Sequence, residues 1–267
     1  MEKFYKENGY KKIFFPKKNN LSILKKKILS VFKIISLKKK SKIKINNHSD
    51  IINLYRKHKN IWVMAYDQIR NMPELYSLIF TPDFLKKISK VSGIKIPILT
   101  TSKITVRLDM PNNQGSIPTE PHQDYAAHQG SSNSITVWIP LQNTFNKNGC
   151  LNIIKGSHKK GFIRDNFNWK THKIPPNVIS QNKANSIGNF EKIDTKFGEV
   201  LLFSTFLVHK SGLNLSNNIR YSINIRFNDV SSEDYAERNY YLNELSGPKK
   251  LKLNFVPKNV FNKQKNQ

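Results

Sequence analysis

The residues best suited to do chemistry are His122 and Asp124, within Pro121-His122-Gln123-Asp124, together with His209 and Arg220. Two imidazoles and one carboxylate can hold Fe(II) on one face and leave the other positions open to a co-substrate and O₂. Arg220 follows His209 by 220 − 209 = 11 residues. Its planar fork can grip one end of a dicarboxylate at two points. Residues i and i+2 of a β-strand share a face. The spacing therefore predicts a strand that aims His122 and Asp124 the same way and Gln123 the other way. The third ligand must then come from a second strand, which suits a separation of 209 − 124 = 85 residues. Taken singly, an H-x-D pair is most often a turn feature, a lone His a packed side chain and a lone Arg a solvated charge. Jointly they imply an oxygenase that uses Fe(II) and 2-oxoglutarate.

The chain also resembles the phytanoyl-CoA dioxygenase family. The resemblance covers roughly residues 98–229, and more weakly Phe4-Tyr5-Lys6-Glu7-Asn8-Gly9-Tyr10. It is carried by His122-Gln123-Asp124, Trp138-Ile139-Pro140-Leu141, Asn148-Gly149-Cys150-Leu151, Lys155-Gly156-Ser157-His158-Lys159 and Phe197-Gly198-Glu199-Val200. It ends with His209-Lys210-Ser211-Gly212, Asn214, Ser216 and Arg220. It implies that His122, Asp124 and His209 hold the iron, that Arg220 and Ser211 bind 2-oxoglutarate, and that Trp138 lies near that co-substrate. It also places the backbone of Gln123 near the co-substrate. Some relatives replace the iron carboxylate with a small residue and bind chloride there. Asp124 is present, so the resemblance implies hydroxylation, with release of succinate and CO₂, and not halogenation.

Composition narrows the class. A length of 267 residues suits one domain with a sizeable core. The single Cys150 excludes an internal disulfide framework and fits a reducing cytoplasm. No apolar run approaches the ~18 residues of a membrane-spanning helix. The N-terminus lacks the apolar segment of a signal peptide. The net charge of +27 comes mostly from lysine, beside abundant Asn and Ile. That mixture looks like the codon bias of an AT-rich genome. Nucleic-acid binders recruit Arg for two-point contacts, so no specific nucleic-acid partner is expected. A small-molecule substrate and a monomer are.

The elements that must position these residues follow from periodicity. Residues 1–16 read as a helix start and a short strand. Within Leu21–Leu37, the residues Leu24, Ile28, Val31, Phe32 and Ile35 recur at helical spacing, with Lys25, Lys26, Lys27 and Lys33 between them. This helix is expected to pack on the catalytic core; contact with an anionic membrane through 21–37 is the alternative. A further helix should run from Ile51 to about Met72, ended by Pro73, and another from Pro82 to about Val91. Strands are expected at 98–101, 103–109, 134–139, 150–154, 199–205 and 219–227. The fold class is thus α+β with a mainly β core, a double-stranded β-helix (a jelly-roll, cupin-like barrel) flanked by N-terminal helices. One oxygenase domain should span 1–250: a helical region over residues 1–95, a barrel core over 96–230 and a C-terminal extension over 231–250. Residues 251–267 form a basic tail. The polar stretch 164–196 reads as a long insertion over the barrel mouth.

Strand parity sharpens the site. Arg220, Ser222, Asn224 and Arg226 share one face of the last core strand, and Tyr221, Ile223, Ile225 and Phe227 the other. Ser222 can add a neutral hydrogen bond to the co-substrate. Arg107 shares a face with Lys103, Thr105 and Asp109, and is a second co-substrate candidate if that face points inward. Tyr125, His128, Asn224 and Arg226 are candidates for substrate contact. The segment Tyr125–Ser134, small and polar, is expected to line the mouth and favours a polar metabolite. Two other functions compete. The six-residue spacing of Arg220 and Arg226 resembles that of oxygenases that demethylate nucleic acid. A catalytically inactive barrel that only binds a metabolite is the other.

Overall fold

A computed structural model describes residues 2–100, 104–113, 120–128, 130–165 and 178–237. The basic tail 251–267, most of the extension 231–250, Lys103 and some of the 164–196 insertion lie outside the described residues. The N-terminal region runs α1 (Glu2–Asn8), β1 (Tyr10–Phe14), α2 (Lys18–Lys38), α3 (His48–Lys57), α4 (Lys59–Ile69), α5 (Pro73–Ile79) and α6 (Pro82–Ser92). Then come β2 (Pro97–Leu99), β3 (Thr105–Asp109), α7 (Tyr125–His128), β4 (Ile135–Pro140) and β5 (Leu151–Ile153). The chain continues through α8 (Gln181–Ile187), β6 (Glu191–Ile193), β7 (Glu199–Ser204), β8 (His209–Ser211), β9 (Arg220–Asp229) and α9 (Glu233–Ala236).

Two antiparallel sheets face each other. The larger has the order β1-β7-β4-β9-β2, with β3 also on β9; the smaller is β6-β5-β8. This is the expected double-stranded β-helix arrangement, although the sheets do not close into a barrel among the described residues. The alternation of side chains builds two cores from one large sheet. Val106, Val137, Leu202, Ile223 and Ile225 point outward, where Leu21, Leu24, Ile28 and Phe32 of α2 join the same apolar cluster. Trp138, Leu201 and Phe203 point inward and pack on Leu151, Ile153 and Ile193 of the small sheet.

The α2 helix therefore packs on the core, with its buried positions Leu21, Leu24, Ile28, Phe32 and Ser36 spaced by three or four residues. The single helix expected over 51–72 is two helices. Nothing between Leu54 and Ile61 is buried, so no apolar contact carries the helix through Arg56-Lys57-His58-Lys59, and the chain breaks at His58, at φ −139° and ψ 60°. Asn47 caps α3 reciprocally with Asp50. Pro73 starts α5 at its first turn, where its missing N–H costs nothing. The 164–196 stretch is also more regular than expected, since α8 and β6 lie within it.

Candidate active site

The site lies between the sheets. His209 opens β8, and its backbone exchanges both hydrogen bonds with His122, at 2.9 and 3.0 Å. On its other side, His122 bridges to Val178. This backbone pairing sets the two imidazoles side by side, with ring centroids 4.1 Å apart. The strand expected through His122-Gln123-Asp124 is not there: His122 makes isolated bridges, and after Asp124 the chain turns into α7. Pairing on a single residue is too short to extend a strand, yet both side chains still enter the site. His122 Nε2 lies 3.7 Å from Asp124 Oδ1, and His209 Nε2 lies 3.9 Å from Asp124 Oδ2. The three ligand atoms fall within 4.8 Å of one another.

Each imidazole is oriented by the chain itself. His122 Nδ1 meets Glu120 O at 2.8 Å, and His209 Nδ1 meets Leu207 O at 2.9 Å. A carbonyl only accepts, so both Nδ1 atoms carry the proton and both Nε2 lone pairs face Asp124. Burial, with the charge of His209 beside it, pushes the His122 pKa down to about 3. Burial likewise lowers that of His209, against the pull of Asp124. Burial alone would raise the pKa of Asp124, but Arg226 and the two imidazoles hold it well below the usual carboxylate range. Two neutral imidazoles and one ionised carboxylate, each with a free lone pair, form a donor set that fits Fe(II).

Gln123 points away, as alternation predicts. Its amide donates to Gly161 O and Phe206 O at 2.9 and 2.6 Å, and accepts from Ile163 N at 2.8 Å. This side chain anchors the ligand loop, a role that its spacing did not reveal.

The inner face of β9 and its neighbours form a continuous polar row. Across the sheet, Arg107 is opposite Ser222, Asp109 opposite Arg220, and Thr136 opposite Arg226. Arg107 does face inward. Its Nη2 donates to Asp109 Oδ1 at 2.7 Å and its Nη1 reaches Ser211 Oγ at 3.5 Å. Arg220 is 1% exposed; its Nε donates to Asp109 Oδ2 at 3.0 Å, and its other nitrogens meet Asp109 and the Gly149 carbonyl. Burial would raise the pKa of Asp109, but Arg220 and Arg107 keep it below its usual value. Gly149 is required by this closeness: at φ +84° a Cβ would lie 2.8 Å from Gly212 O and 3.2 Å from Arg220 Nη1. Trp138 is buried, with the Arg220 guanidinium carbon 6.0 Å from its ring centre. Ser222 Oγ is fully buried, and its hydroxyl has no partner among the described residues.

The substrate candidates divide. Asn224 lies in the polar row, half-buried. Arg226 turns onto Asp124: its Nη2 donates to Oδ1 at 2.9 Å, and its Nε lies 2.9 Å from Oδ2. His128 is half-buried, with a buried Nδ1 that lacks a partner among the described residues. Burial, then the nearby Arg226 charge, pushes its pKa to about 3. Tyr125 is not brought into the row; its buried ring stacks on Phe206 with centroids 4.1 Å apart. The expected mouth segment is partly redirected too. Ser131 N donates to Asn228 Oδ1, Ser131 Oγ accepts from Asp229 N and Asn133 donates to Asp229 Oδ2, so Ser131 and Asn133 brace the far end of β9. Short polar side chains satisfy a strand end as readily as they line an opening.

The facing antiparallel sheets form a double-stranded β-helix of the cupin-like kind, and the His/Asp/His cluster between them could hold a metal ion. The phytanoyl-CoA dioxygenase (PhyH) family profile matches residues 67–222, more than half of the chain. The chain belongs to this family. It is 31% identical over 162 residues to 1-deoxypentalenic acid 11-beta-hydroxylase of Streptomyces arenae, over 57% of this chain and 56% of that protein. It is 26% identical over 142 residues to methylphosphonate hydroxylase of Gimesia maris, over 51% of each. The chain spans about half the length of the curated relatives it matches. Among solved structures, AviO1 from Streptomyces viridochromogenes has a TM-score of 0.54 at 17% identity, over 86% of this chain and 94% of that one. EctD from S. alaskensis, solved with 2-oxoglutarate and 5-hydroxyectoine, has a TM-score of 0.52 at 12% identity, over 86% and 76%. These structural likenesses establish the fold.

Proposed function

We propose that this protein is an Fe(II)- and 2-oxoglutarate-dependent dioxygenase that hydroxylates a small polar metabolite and releases succinate and CO₂. The observation that carries the reading is the convergence of His122 Nε2, His209 Nε2 and Asp124, with both Nδ1 atoms tied to backbone carbonyls. In this reading His122, Asp124 and His209 hold the iron, which supplies O₂ activation coupled to decarboxylation of the keto acid. The chain supplies the rest. Arg107 and Arg220 flank one carboxylate, Asp109, so the cluster keeps one net positive charge for the far carboxylate of 2-oxoglutarate. Ser222 Oγ, buried and unpartnered among the described residues, is a donor awaiting that ligand, with Ser211 beside Arg107. Trp138, Leu201 and Phe203 exclude water from one wall.

The relatives' names run from phytanoyl-CoA to methylphosphonate. The choice of a polar substrate therefore rests on Asn224 in the polar row of β9 and on His128, whose Nδ1 is buried without a partner among the described residues. The test is an anaerobic Fe(II) titration with 2-oxoglutarate. A metal-to-ligand charge-transfer band is expected, and its absence in iron-loaded protein would refute the reading. A metabolite screen for substrate-dependent succinate release then identifies the substrate.

A further inference from the structure

The three ligands are not restrained equally. Each imidazole is held by one hydrogen bond to a neighbouring carbonyl. Asp124 is held from across the cavity by the large sheet. Thr136 Oγ1 donates to Oδ2 at 2.7 Å, Arg226 Nη2 donates to Oδ1 at 2.9 Å, and Arg226 Nε sits 2.9 Å from Oδ2. Thr136 and Arg226 are direct partners in the β4–β9 register. One rung of the sheet therefore delivers both groups to a carboxylate that is only 2% exposed.

A carboxylate has about four lone-pair directions. On Oδ2, Thr136 takes one, and Arg226 Nε lies 2.9 Å away without a hydrogen bond to it. On Oδ1, Arg226 takes one and leaves one, on the side of His122. We propose that Arg226 and Thr136 are positioning residues that would restrict Asp124 to single-point metal ligation. A carboxylate free to chelate would take a second position on the metal, and a keto acid needs two adjacent positions open. Arg226 also offsets the carboxylate charge, which leaves the bound metal more attractive to an incoming dianion. The inference rests on the proposed oxygenase reading. It assigns Arg226 to the metal carboxylate, where residue spacing had suggested substrate.

The test separates metal binding from co-substrate binding. Mn(II) affinity is measured by electron paramagnetic resonance, and 2-oxoglutarate affinity by the charge-transfer band of the anaerobic Fe(II) protein. In Arg226→Gln, Mn(II) binding should stay within ~3-fold of wild type or tighten, while the 2-oxoglutarate Kd should rise at least ~10-fold. Arg226→Lys keeps the charge but loses the fork, and Thr136→Val removes the other tether at constant shape. Both should shift the 2-oxoglutarate Kd in the same direction by less. Melting temperature is followed throughout, and the two milder variants keep the test decisive if Arg226→Gln fails to fold. Unchanged 2-oxoglutarate binding in the folded variants, beside a normal wild-type band, overturns this inference alone. Equal loss of metal and co-substrate does the same, because that marks a merely structural role. Wild-type protein that binds Mn(II) but gives no band overturns the oxygenase reading, and this inference with it.

Discussion

The two faces of β9 are chemically opposite, and at Arg220 and Ser222 the inner face is as buried as the outer one. Tyr221, Ile223, Ile225 and Phe227 enter the apolar cluster shared with α2 and its neighbours. Arg220, Ser222, Asn224 and Arg226 face the cavity, and Arg220 and Ser222 are 1% and 0% exposed. Burial alone thus does not tell a stabilising face from a functional one. The difference lies in how polar groups are satisfied. On the inner face Arg220 is matched by Asp109 and Arg226 by Asp124. A buried cation without such a partner would be strongly destabilising. The outer face needs no matching and contributes through area and close packing.

The inner face is most vulnerable at the ligands. His122→Ala, Asp124→Ala and His209→Ala should each abolish hydroxylation and leave the helical layer folded, because loss of an imidazole leaves too few donors for Fe(II) and loss of Asp124 opens a position that chloride can take. Full activity with unchanged iron content in any of these variants would contradict the site. On the outer face the effect should be reversed. Ile223→Ala, at a fully buried position, should cost about 2–5 kcal/mol in denaturant unfolding. Its Fe(II) and 2-oxoglutarate affinities should be near normal in the folded fraction.

Arg220→Lys tests the inner face more finely. A point charge cannot replace the planar fork. Co-substrate binding should weaken by roughly 2–3 kcal/mol, about 30- to 150-fold, with iron retained. An unchanged Kd would move the carboxylate site to Arg107.

Acid should destabilise both layers together. His48, at the start of α3 against Tyr221, has a pKa lowered to about 4, and His122 and His128 in the cavity to about 3, all chiefly by burial. A free histidine titrates near ~6.5. Between these values the unfolded chain binds more protons than the native state, so stability rises with pH through that window. The melting temperature of the metal-free protein should therefore fall as pH drops from about 6.5 towards 4. A flat profile there would show that these rings are not held neutral.

The smallest effect expected is at the outer surface of α2. Leu21, Leu24, Ile28 and Phe32 are already engaged in the core, while Ile23, Ile34 and Leu37 are exposed. The protein should not sediment with anionic vesicles at physiological salt. Salt-sensitive binding lost on mutating Lys25, Lys26 and Lys27 would show a membrane role for that face.

Much of the fold is legible in the sequence because it rests on local periodicity. The alternation along 219–227 predicts the two faces of β9, and the three-and-four spacing of Leu24, Ile28 and Phe32 predicts the packed side of α2. Residue type and spacing also group the H-x-D pair with the distal His209 and Arg220. Local pattern fails where tertiary pairing disagrees with it. His122 and Asp124 share a direction without lying on a strand, since His122 is fixed by backbone exchange with His209 and bridging to Val178. Tyr125, expected at the mouth, stacks instead on Phe206, a partner 81 positions away by 206 − 125.

By itself, the amino-acid sequence determined the elements and the donor types: which stretches alternate, which side is apolar, and that two imidazoles, a carboxylate and an arginine belong together. It could not determine which carboxylate each inward-facing arginine meets. Arg107, Arg220 and Arg226 share a charge and a face. Only the β3–β9 and β4–β9 registers bring two of them to Asp109, and Arg226 beside Thr136 to Asp124. Charge pairing in a buried site is decided within a few ångströms, because both desolvation and Coulomb energy change steeply over that distance. Separations of that size between distant segments are set by the packing of the sheets.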